Sequence, residues 1–124
     1  VKTKTLIFTL PILSADVLVH FGLPETFKRE VQSRLEPEYQ KEFDGLFEKP
    51  CNGLVAHFGR NRIAVYLGFA PKKKMTAHEL AVIAHESLHV VQQSAEYVGA
   101  EPCNELMCRF QQYVFETILN ELQN

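Results

Sequence analysis

The 124-residue chain is predicted to fold as a single α+β domain, residues 1–124, on three observations. Its first half alternates short β-branched or aromatic runs with charged stretches at helical spacing. Thr76-Ala77-His78-Glu79 then opens a long helical pattern that closes near Val98-Gly99. From Asn104 onward, apolar residues recur three and four apart to the end of the chain. Together these predict a twisted, mostly antiparallel sheet packed on a long helix and a C-terminal helix. A content of 46% hydrophobic and 23% charged residues suits a chain that buries its core without staples.

Residues 3–10 read as a first strand ended by Pro11. Lys2 and Lys4 ahead of Leu6–Leu13, with Ser14-Ala15 behind, also resemble a short secretory signal. Asp16–Phe21 is a second strand, closed by Gly22. Pro24-Glu25 opens a helix, with Phe27, Val31 and Leu35 on one face before Pro37. Tyr39, Phe43, Leu46 and Phe47 mark a second amphipathic piece, ended by Pro50 and Gly53. Leu54–Phe58 and Ile63–Leu67 flank Gly59-Arg60-Asn61-Arg62, which predicts a hairpin. Ile63–Leu67 is the expected open edge of the sheet.

Thr76 and Glu79 have the spacing of a capping box, and Gly99 is a fitting helix stop. The expected apolar stripe of this helix is Leu80, Ala84, Leu88, Val91, Ala95 and Val98. His78, Val82, His85, His89, Gln92 and Glu96 form a second stripe beside it. The last helix carries Leu106, Phe110, Tyr113, Phe115, Leu119 and Leu122.

Charge and cysteine usage exclude some functions. A net charge of −2 gives no electrostatic basis for nucleic-acid binding. Lys72-Lys73-Lys74 reads as a solvated turn. No apolar run is long enough to span a bilayer. Three cysteines, Cys51, Cys103 and Cys108, make no disulfide framework and point to a reducing, cytoplasmic compartment.

The chemistry lies in His85-Glu86-Ser87-Leu88-His89. Four helical residues advance about 400° and rise about 6 Å, so both imidazoles leave one face and reach a shared metal ion. Glu86 sits about 100° round from His85, placed to face a water beside that ion. Zinc is the expected metal, and it needs at least a third protein ligand. Glu96 lies about 10 Å along the helix from His89 and cannot serve. Glu105 tops a stripe of Cys108, Gln112, Phe115, Leu119 and Leu122 that is expected to face inward. An inward carboxylate costs several kcal/mol unless paired or metal-bound, which favours Glu105 as third ligand. This requires the last helix to cross the motif helix steeply, or the motif helix to end early. Glu116 is the reserve, and a set of His85, His89, Cys103 and Cys108 is a further alternative. His20 and His57, in strands, read as satisfied packing residues.

His85–His89, followed by Asn104-Glu105 on the next helix, resembles the zincin metallopeptidases whose third ligand is a glutamate. Ile83–Val90 with Glu105 also resembles small bacteriophage and prophage proteins carrying this motif. The resemblance spans residues 76–119 and implies a zincin-like fold, zinc held by His85, His89 and Glu105, and Glu86 as general base. It further implies a peptide or protein substrate, or a non-catalytic zinc protein of phage origin that binds a partner. Tyr97, Arg109 and Tyr113 are read as structural, so no transition-state stabiliser is assigned. Gln92, Glu96 or backbone carbonyls are expected to hold the second ring nitrogen of each histidine.

Overall fold

The structure, a computed structural model, describes residues 2–99 and 104–123. Its strands are β1 (Lys4–Leu10), β2 (Ala15–Phe21), β3 (Gly53–Gly59) and β4 (Arg62–Leu67). Its helices are α1 (Pro24–Gln32), α2 (Gln40–Asp44), α3 (Ala77–Tyr97) and α4 (Asn104–Gln123), with a 3₁₀ turn at Pro37–Tyr39 before α2. The α+β class and the order of elements agree with the sequence expectation.

One mixed sheet runs in the order β1-β2-β4-β3. β1 with β2 and β3 with β4 are antiparallel, whereas β2 and β4 are parallel. The hairpin forms as expected, with Asn61 at φ 50° in its turn, a conformation asparagine tolerates. The expected edge strand is corrected, however. β4 lies inside the sheet, and β3 is the edge on that side.

Burial on both faces explains why β2 and β4 took the centre. Val17, Val19, Phe21, Ile63, Val65 and Leu67 join one core with residues of α3 and α4. Leu18, Ala64 and Tyr66 point to the opposite face and join Phe27, Val31 and Phe43 of α1 and α2. Phe27 is the hub of that second core, its ring centroid 5.4 Å from Tyr66 and 5.8 Å from Phe47. Each fully buried side chain of this size contributes about 1.5–3 kcal/mol. An all-apolar face on each side is what a strand between two helical layers requires.

α3 begins at the expected capping box. The Glu79 amide donates to Thr76 Oγ1 at 3.1 Å, and the Thr76 amide donates to Glu79 Oε1 at 2.9 Å. Such caps contribute about 1 kcal/mol. The helix ends where Gly99 takes φ 69°. Its buried stripe differs from the expected one. Ile83, Glu86, Ser87, Val90, Val91, Ser94 and Ala95 are buried, while Leu80, Ala84 and Leu88 are half-buried and Val98 is exposed. The helix has turned by about one residue towards β3 and β4, which places Glu86 beneath rather than beside the surface.

α4 is corrected in the same way. Its inward residues are Phe110, Val114, Ile118 and Leu122, all buried. Glu105, Cys108 and Gln112, expected inside, are exposed. Two apolar ladders overlap on this helix, and packing against α3 and β1 selects the branched one. Gln111 Nε2 donates to the Ala84 carbonyl at 3.0 Å and ties α4 to α3 beside the motif. Among the described residues, no helix is long and apolar enough to cross a membrane.

Candidate metal centre

The capped helix α3 sends His85 and His89 from one face, as the four-residue spacing requires. Their Nε2 atoms stand 3.1 Å apart. Two nitrogens on one tetrahedral zinc, each at 2.0–2.1 Å, stand about 3.3 Å apart, so this pair is already at chelating distance. His89 is oriented by Gln92, whose Oε1 lies 3.1 Å from His89 Nδ1. With Nδ1–H donating to that oxygen, Nε2 keeps its lone pair for a metal. Gln92 is one of the partners the sequence named for this role.

Glu86 completes the group. One donor atom from each of His85, Glu86 and His89 lies within 4.8 Å of the other two. Among the described residues, this is the single cluster of three such side chains. Glu86 is buried, 6% exposed, while His85 is exposed and His89 half-buried. Burial pushes the Glu86 carboxyl above its usual range, and the neighbouring His85 and His89 pull it partly back. An unpaired buried carboxylate is costly, and a cation beside it offsets that cost. The donor set therefore fits a borderline-soft divalent ion such as zinc.

The first residue of β3 makes room for Glu86. A Cβ at Gly53 would stand 2.8 Å from Glu86 Oε2, 3.1 Å from its Cγ and 3.0 Å from Val82 Cγ1. Only a residue without a side chain lets the β3 backbone approach the carboxylate this closely. Sequence reasoning read Gly53 merely as the end of a helical segment, because the contact joins residues 33 positions apart.

The structure does not bring Glu105 to the histidines. Its side chain is 73% exposed and pairs with Arg109, N to O 3.1 Å. The argument for an inward carboxylate falls with the turned α4 stripe. Glu116 is also exposed and accepts from Gln112 Nε2 at 2.9 Å. Cys108 is exposed and unpaired, and Cys103 lies outside the described residues, as does Glu101. Tyr97 and Tyr113 are exposed, and Arg109 is exposed and pairs with Glu105.

The other histidines divide. His20 is a satisfied packing residue, with Thr5 Oγ1 2.8 Å from Nδ1 and Thr26 Oγ1 2.7 Å from Nε2. Thr26 gives its one hydroxyl proton to the Leu23 carbonyl, so it accepts from Nε2–H and fixes the neutral tautomer. His57 departs from the expectation, because its buried Nε2 has no hydrogen-bond partner among the described residues. His78 is exposed at the start of α3.

Comparison with protein-family models, with curated proteins and with solved structures finds no match to this chain.

Proposed function

We propose that this chain is a small zinc-dependent peptidase of the HExxH type. His85 and His89 would supply two of the ion's ligands, the third not being among the described residues, and Glu86 acts as general base on the attacking water. The single observation that carries this reading is the convergence of the three donor groups within 4.8 Å on one capped helix. Zinc there would supply Lewis acidity, making a water acidic near neutral pH and polarising a scissile carbonyl. Glu86 takes the water's proton and returns it to the departing amine. Glu86 Oε2 lies against the Gly53 backbone, and a carboxylate oxygen of Glu86 stands within 4.8 Å of the histidine donors.

The open edge of β3 supports an extended polypeptide as substrate. The Leu67 carbonyl accepts from Gly22, and Gly68 donates to the Asn52 carbonyl. The alternating pattern therefore gives the even-numbered residues of β3 to β4. Gly53, Val55 and His57 turn their N–H and C=O groups to the open edge, where an added strand pairs. Among the described residues, Cys51 and Cys108 are free thiols.

A second reading has one observation in its favour. With Glu105 turned to solvent, Glu86 is the carboxylate nearest the histidines and is itself able to ligate the ion. The site then belongs to a non-catalytic zinc-binding protein that uses the same scaffold to bind a partner. Glu86→Gln separates the two. A base is replaced without loss of zinc, and peptide hydrolysis falls by roughly 10²- to 10⁴-fold. A ligand is replaced with loss of stoichiometric zinc, measured by metal analysis after dialysis, and that result would overturn the peptidase reading.

A further inference from the structure

A trough of about 670 Å³ begins one helical turn beyond His89. Val55, Ala56 and His57 of β3 form its floor. Gln93 and Glu96 of α3 stand on one lip, and Lys41 and Glu42 of α2 on the other. Side chains of two kinds, in it or beside it, have no function assigned above.

The first kind is aromatic. The His57 ring lies between Tyr39, centroids 6.3 Å apart at 33°, and Tyr97, 6.4 Å apart at 39°. Tyr97 is exposed and Tyr39 half-buried, so the row ends on accessible π faces. The second kind is polar and unmatched. His57 Nε2 and Gln93 Oε1 are both buried and have no hydrogen-bond partner among the described residues. Buried polar atoms of this sort are rare, and each is completed by a water or by a bound group. Glu42 and Glu96 add a carboxylate on each lip. Glu36 and Glu38 lie near Tyr39, which burial, Tyr97 and these two carboxylates hold above the ordinary phenol range. Lys41, Arg60 and Arg62, the last paired with Glu36, are the nearby cations, so acidic groups outnumber basic ones by four to three here.

One side chain answers both the aromatic row and the carboxylates. A guanidinium is cationic, stacks on aromatic faces and carries five N–H donors with no acceptor. Its donors suit the exposed Glu42 and Glu96 carboxylates. Its methylene stem suits the apolar surface of Leu46 and Val55. We propose that the trough between α2 and α3 selects polypeptides bearing an arginine, whose guanidinium seats on the Tyr39–His57–Tyr97 row between Glu42 and Glu96. This selection rests on the reading that a polypeptide lies along β3, but it does not depend on hydrolysis.

The test uses the full chain kept metal-free with chelator, and three blocked peptides, acetyl-Ala-X-Ala-amide with X arginine, citrulline or norleucine. The chain has four tyrosines and no tryptophan, so tyrosine emission includes Tyr39 and Tyr97, and Tyr66→Phe with Tyr113→Phe confines it to them. The arginine peptide is expected to bind about tenfold tighter than its neutral isostere citrulline, with a preference that shrinks as salt rises. Glu42→Gln with Glu96→Gln should bring the two within about twofold while leaving norleucine binding unchanged. Both carboxylates are exposed, so the double variant keeps its core. Equal affinity for arginine and citrulline, no binding of any peptide, or an undiminished preference in the double variant would each overturn the proposal. If the zinc-loaded protein cleaves nothing while the metal-free protein keeps the preference, the peptidase reading fails and this one stands.

Discussion

Replacing Gly53 by alanine measures how tightly β3 holds Glu86. Gly53 lies outside the left-handed region, so the effect is steric and not conformational. The added Cβ meets Glu86 Oε2 at 2.8 Å, against 3.4 Å for the start of ordinary contact, so the carboxylate must retreat by about 0.6 Å. Val82 Cγ1 at 3.0 Å blocks one direction of escape. Two opposed terms decide the sign. Gly→Ala without strain stabilises by about 0.4–1 kcal/mol through the unfolded chain. Overpacking of a filled site costs about 1–3 kcal/mol. A net loss of about 1 kcal/mol is expected, read as a fall of roughly 0.5 M in the urea midpoint. Hydrolysis should fall about tenfold, since a misplacement of about 1 Å costs up to 10²-fold. Zinc affinity should hold, because the clash does not touch His85 or His89. A variant as stable as the wild type, or more so, would refute the close approach of β3 to Glu86.

Three further outcomes follow from the same geometry. Gln92→Leu removes the acceptor for His89 Nδ1 and should weaken zinc binding about 10- to 100-fold by competition with a chelating dye, whereas unchanged affinity would dismiss Gln92 as the orienting partner. Glu105→Ala should leave zinc affinity within about twofold and stability within about 0.5 kcal/mol, because its partner Arg109 is equally exposed; loss of zinc would restore Glu105 as a ligand. Burial, opposed by Glu30, holds the His20 pKa below 6.5, so the folded state favours the neutral ring. That stabilisation is fully present above pH 6.5 and is lost as pH falls through the folded value. Urea midpoints that decline below pH 6.5 in the wild type, but less in His20→Gln, bear on this directly; identical declines would count against it.

Local chemistry made much of this protein legible. The capping box at Thr76 and Glu79, the stop at Gly99 and the hairpin through Asn61 each depend on residues a few positions apart, and each stands where the sequence put it. The same holds for the pairing of His85 with His89, since helical pitch alone brings i and i+4 together. Gln92 follows from the same rule.

What tertiary structure decided is which face of each element is turned inward. On α3 and α4, apolar residues occupy more than one stripe, and the sequence offers two ladders about a residue apart. Contact with β3, β4 and β1 selects between them, burying Glu86 and exposing Glu105. Strand order belongs to the same class, because the two-sided burial of β2 and β4 emerges only when helices cover both faces. Residues distant along the chain then meet at Gly53 and Glu86, and at Tyr39, His57 and Tyr97. Periodicity within a segment fixes what shares a face, and only packing between segments fixes what that face meets.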